Sequence, residues 1–70
     1  MGDFDKGDKV SWRSHGQQVH GEVTKEIAEH TEDSGRTVDA DREHPQYRVR
    51  SDKTGKEAVH KPGALRREKD

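Results

Sequence analysis

The sequence predicts a small all-β domain, five short strands curling into a barrel, and three observations carry that prediction. Residues 19–27 alternate, with Val19, Gly21, Val23, Lys25 and Ile27 on one face and His20, Glu22, Thr24 and Glu26 on the other. A period of two marks a strand with one face buried and one in water. The remaining apolar residues come in shorter groups of the same pattern that can pack against this strand. Gly, Asp and Pro turn residues punctuate the gaps between them.

Taken in order, Gly7 and Asp8 form a turn pair leading into a short strand on which Val10 and Trp12 share a face. Residues 13–17 are polar, hold Gly16, and read as a loop. The long strand follows, and Gly21 within it marks a bend or a close backbone approach, as strongly bent strands require when they close small barrels. Residues 28–35 are acidic and lack an apolar stripe, so they read as a mobile loop. Residues 36–40 alternate again, with Val38 and Ala40 inward. Pro45 bars a helix through His44, which makes 41–45 a turn. Residues 46–51 are the clearest short strand, with Tyr47 and Val49 inward and Arg48 and Arg50 outward. Asp52 and Gly55 occupy the first and fourth places of a type I turn. Residues 56–60 form the last strand, its facing left open because Ala58 and Val59 point opposite ways. Residues 61–65 read as a tight turn or single 3₁₀ turn, with Leu65 able to close one end of the barrel. Five strands with such tight links fit an SH3-like barrel. The expected core is Val10, Trp12, Val19, Val23, Ile27, Val38, Tyr47 and Val49 with Leu65, in a single domain spanning residues 1–70, ordered from about 4 to 65 and ending in a charged tail at 66–70.

Composition narrows the function classes. Hydrophobic residues are 23% and charged residues 41% of the 70, which leaves little apolar surface to offset chain entropy, so the strand spacing is what argues for a fold at all. No cysteine is present, which removes disulfides and cysteine-based zinc sites and leans the expected compartment to the cytoplasm. No apolar run approaches membrane length, and the opening Met-Gly-Asp-Phe-Asp-Lys resembles no signal peptide. Lys6 stands where a myristoylation site requires Ser or Thr. The net charge of −1 is unevenly spread. Residues 1–47 hold six Lys and Arg against eleven Asp and Glu, and residues 48–70 hold eight against four. A split of −5 and +4 is compatible with a basic side on an otherwise solvated exterior.

Several segments together resemble a known family. Residues 7–12 (Gly-Asp-Lys-Val-Ser-Trp), 20–23 (His-Gly-Glu-Val), 45–47 (Pro-Gln-Tyr), 51–56 (Ser-Asp-Lys-Thr-Gly-Lys) and 60–62 (His-Lys-Pro) with Leu65 stand in the order and spacing of the hypervirulence-associated protein TUDOR domain, a family of small bacterial proteins. The resemblance runs from about Phe4 to Leu65, and the 51–56 and 60–62 segments are its most specific parts. It implies a Tudor/SH3-like barrel and implies no activity.

Chemical motifs are weak against that background. An aromatic cage for a methylated cation needs several rings, and the chain has Phe4, Trp12 and Tyr47. Alternation assigns Trp12 and Tyr47 to the core; their functional reading is a two-ring groove. The histidines at 15, 20, 30, 44 and 60 lack paired ligand spacing, so no metal site is expected. Residues 39–50 fail as a calcium loop, with His44 in place of the required Gly and Arg50 in place of Glu. Lys53-Thr54-Gly55 has no accompanying Ser-x-x-Lys and is a hairpin turn. The expectation is a non-enzymatic binding module with no cofactor, monomeric or weakly dimeric, meeting a protein or peptide. The alternative is weak nucleic-acid binding through a basic face. The candidate surface is Trp12, Tyr47, Arg48, Arg50, Lys53, Lys56 and Lys61.

Overall fold

The computed structural model describes residues 4–33 and 35–68. It is built from seven strands: β1 (Lys9–Ser14), β2 (Gln17–Ile27), β3 (Thr31–Asp33), β4 (Arg36–Val38), β5 (Gln46–Ser51), β6 (Glu57–His60) and β7 (Arg66–Arg67). Five of them form one antiparallel sheet in the order β6-β5-β2-β1-β7, and β3 and β4 make a separate two-stranded ribbon. The five-stranded ladder is open, with β6 and β7 as its edges. It is nevertheless curled, because the Trp12 ring on β1 reaches within 5.7 Å of the His60 ring on β6, three strands away.

The β1–β2 connection is tighter than the loop expected at 13–17. Ser14 pairs with Gln17, leaving a two-residue turn in which His15 (φ 52°) and Gly16 (φ 78°) are both left-handed. That backbone matches the twist of the flanking strands. Gly21 is a close approach: a Cβ there would lie 2.0 Å from the Arg50 carbonyl oxygen and 2.7 Å from the Trp12 ring. The bend itself falls three residues later. The β2–β5 register slips between Val23 and Lys25, so that Thr24 is the extra residue of a β-bulge.

The bulge divides the core. Val23, opposite Val49, packs with Phe4, Val10, Trp12, Tyr47, Val49 and Leu65, and Val19 lies partly buried against them. Beyond the bulge Lys25 lies opposite Arg48 and Ile27 opposite Gln46, and Ile27 packs instead with Val38, Ala40 and Val59. Ile27 and Val23 therefore serve different faces, where unbroken alternation assigns them to one. Val59, opposite Arg48, belongs to this second cluster, whereas Ala58 lies opposite Val49 on the first face, which settles the facing of β6.

Two further segments differ from the sequence expectation. Thr31–Asp33 is a strand within the expected loop, paired with residues 36–38. Its ladder needs only backbone and one buried side chain, Val38, so no apolar stripe announces it. Arg66–Arg67 is a strand against Val10 and Ser11, where a charged tail was expected. The Glu68 N–H extends this ladder to the Lys9 carbonyl at 2.9 Å. Residues 69 and 70 of that expected tail lie outside the described residues. Between β6 and β7 a single 3₁₀ turn, Pro62–Ala64, carries the chain to Leu65, which is buried as expected. Phe4, absent from the expected core, is buried edge-on against Tyr47 at 5.3 Å, with the Arg67 guanidinium 5.2 Å above its ring.

Two substitutions test this architecture. Gly21→Ala places a methyl group against backbone and should destabilise by about 1–3 kcal/mol; denaturation at the wild-type midpoint would show that β2 and β5 do not approach there. Thr24→Val keeps the shape but removes the hydroxyl that occupies the bulge. It should cost about 1–2 kcal/mol by leaving the Arg48 carbonyl and guanidinium short of a partner, read by the same denaturation curves.

Candidate binding surface

The seven residues singled out from the sequence separate into three groups. Trp12 and Tyr47 are core residues. Tyr47 is fully enclosed, and its hydroxyl donates to Glu26 Oε2 at 3.2 Å. With Phe4 also buried, all three aromatic rings are committed to packing, and none offers an open face to a ligand cation.

Arg48 forms the second group alone. Its Nε donates to Thr24 Oγ1 at 3.0 Å and lies 3.5 Å from Glu57 Oε2, and its Nη1 donates to Asp33 Oδ2 at 3.3 Å. The Thr24 hydroxyl in turn donates to the Arg48 carbonyl at 3.1 Å. One guanidinium thus joins β2, β3, β5 and β6. Only 30% of the side chain is exposed, so the planar fork is used internally.

Arg50, Lys53, Lys56 and Lys61 are exposed and make no ion pair with a described residue. Arg50 stands on β5 directly between Glu22 on β2 and Glu57 on β6. Lys53 and Lys56 ride on the β5–β6 loop, which is fixed by Gly55 N–H on the Ser51 carbonyl and Ser51 N–H on the Lys56 carbonyl, each at 2.9 Å. Asp52 on the same loop pairs with Lys9 at 3.8 Å. Lys61 lies at the far end of β6, about 16 Å from Lys56 at the usual rise per residue. The cations therefore spread along one hairpin with carboxylates between them.

Two local features shift ionisation. Burial holds the His60 imidazole below its ordinary value, and the Arg36 charge acts in the same direction. The His44 N–H, donating to Asp41 Oδ1 at 2.7 Å, holds that carboxyl below the usual range, helped by the Glu43 N–H at 3.0 Å. These bonds fasten the 41–45 turn. Among the described residues no group of three or more His, Asp or Glu side chains is placed to hold a metal ion.

A groove of about 500 Å³, lined by Ser11, Trp12, Arg13, Gln18, Gly63, Ala64 and Arg66, was not anticipated. Nothing local in the sequence marks it, since it depends on β7 pairing with β1 over only two residues. A shallower depression of about 300 Å³ lies by Lys25, Glu29 and Arg42.

A curved antiparallel sheet, a small ribbon beside it and a 3₁₀ turn before the last strand define a small all-β domain of the Tudor/SH3-like class. The family model for the hypervirulence associated proteins TUDOR domain matches residues 7–65, and the chain belongs to that family. Domains of this Tudor type are small binding modules. No curated protein and no solved structure matches the chain. Among the described residues no helix is long and apolar enough to cross a membrane.

The His60 shift has a measurable consequence. With the folded value below the ordinary 6.5, the unfolded chain takes up the proton first as pH falls. The associated stability is present above about pH 6.5 and is lost as pH drops through the lower folded value. Thermal melts between pH 8 and 5 should show this decline below about 6.5, and His60→Gln should flatten it. An unchanged slope in that variant would assign the dependence to other groups.

Proposed function

We infer that the protein is a non-enzymatic cytoplasmic binding module whose partner is a protein or peptide, met through the exposed hairpin carrying Arg50, Lys53, Lys56 and Lys61. The observation that supports this reading is the alternation of charge around Arg50. Glu22 and Glu57 flank it across both neighbouring strands, and Asp52 precedes Lys53. A polyphosphate laid along the hairpin would meet these carboxylates as well as the cations. A protein surface can present a complementary mosaic, which gives register and specificity. Arg48, bound by Asp33 and Glu57, contributes to the shape of this face and not to its free charge.

Labelled duplex DNA and single-stranded RNA, titrated at about 0.15 M salt, should bind weakly. Engaging all four cations would give a log–log salt slope of only about −3.6 on duplex DNA. A photo-crosslinking residue at position 53 should capture a protein in a nuclease-treated lysate, and Arg50→Glu with Lys53→Glu and Lys56→Glu should abolish that capture without altering the melt. Sub-micromolar nucleic-acid affinity, lost in the same triple variant, would replace this reading with nucleic-acid binding through the basic face.

A further inference from the structure

The groove beside β1 is where the sheet stops short. β7 pairs with β1 only at Val10 and Ser11, with the Glu68 N–H on the Lys9 carbonyl. Ladder direction alternates along a strand, so the backbone groups of Lys9, Ser11 and Arg13 point to the β7 side. Continuing the register would place Ala64 opposite Arg13. Ala64 instead sits in the 3₁₀ turn and gives its N–H to the Lys61 carbonyl at 3.0 Å. The Arg13 N–H and C=O are thereby left facing the groove without a ladder partner among the described residues.

The side chains around this gap are of one sign. Arg66 lies opposite Ser11 and Arg13 is two residues on, which makes the two arginines diagonal neighbours on one face, about 7–8 Å apart at the backbone. Both are exposed, neither makes an ion pair with a described residue, and no carboxylate lines the groove. Gln18, opposite Arg13, donates from Nε2 to Ser11 Oγ at 3.3 Å and is held at the groove wall.

We propose that this gap binds an extended acidic peptide segment, whose backbone pairs with the Arg13 N–H and C=O and whose side-chain carboxylate lies between Arg13 and Arg66. A peptide added at a sheet edge gains affinity from main-chain bonds and specificity from alternate side chains. The carboxylate supplies the charge that two neighbouring guanidinium groups lack, in the bidentate geometry that arginine favours. A phosphodiester could meet the guanidinium groups but has no donor for the Arg13 carbonyl. The site is separate from the Arg50–Lys61 hairpin and does not depend on what binds there.

The probe is a capped heptapeptide of alternating glutamate and valine, titrated into the ¹⁵N-labelled chain. Amide shifts should centre on residues 11–13 and 63–66, and exchange of the Arg13 amide should slow about tenfold as its N–H enters a ladder. Three changes should each weaken binding at least about tenfold. These are Arg13→Gln with Arg66→Gln, glutamine in place of glutamate in the peptide, and methylation of every second peptide nitrogen in the register that faces β1. Arg50→Glu with Lys53→Glu and Lys56→Glu should leave this binding intact. Absence of shifts at residues 11–13 with millimolar peptide, or full binding by the methylated peptides in both registers, would overturn the proposal. So would loss of binding in the Arg50 triple variant alone, or an oligonucleotide that shifts Arg13 and Arg66 more strongly than the peptide does.

Discussion

The organisation of this domain depends on a single inserted residue. Thr24 adds one position to β2 between Val23 and Lys25 and reverses the phase of everything after it. Val23 and Ile27 consequently anchor two clusters on opposite faces of one strand. A bulge leaves ladder groups unpaired, and here the Thr24 hydroxyl answers the Arg48 carbonyl while receiving the Arg48 guanidinium. The same guanidinium reaches Asp33 and Glu57, so the device that switches faces also fastens β3 and β6 to the β2–β5 pair. A chain with 23% hydrophobic residues cannot build one large core. Two small clusters joined across the sheet by a polar clamp are its alternative.

Seen from this junction, it is clear why some elements were legible in the sequence and others were not. β5 announces itself because Tyr47 and Val49 are buried while Arg50 is exposed, although the polar ends Gln46 and Ser51 are buried as well. Leu65 after Pro62-Gly63 was equally readable. The bulge was not, because Val23, Lys25 and Ile27 keep a period of two in sequence whether or not the ladder slips between them. β3 and β7 carry almost no apolar signal, since both are short pieces stabilised by backbone pairing at the periphery. Phe4 precedes any strand, and only the fold shows that its ring fills space beside Tyr47.

The candidate surface was legible as a list of charges but not as a set of free ones. Arg48 and Arg50 are equivalent in sequence, two outward positions of one strand. In space Arg48 is drawn into the clamp because the bulge places Thr24 beside it and the ribbon places Asp33 above it. Arg50 escapes because its neighbours across the strands, Glu22 and Glu57, stop short of an ion pair with it. Which cations remain uncompensated at this surface is a property of register, not of composition.

Register also explains the open edge. Leu65 would lie opposite Trp12 if β7 continued along β1, on the same face as the cluster of Val10, Trp12 and Val49 in which it is buried. The residues before it leave that register, since Pro62–Ala64 form the 3₁₀ turn, and the β1 edge at Arg13 is thereby exposed. Unpaired edges invite indiscriminate strand addition, and natural sheets blunt them with charge. Arg13 and Arg66 do so here selectively. Two copies meeting through this same edge would bring like charges together, whereas a strand bearing carboxylates would complement them. The 3₁₀ turn before Leu65 thus creates the gap, and the two arginines set its charge.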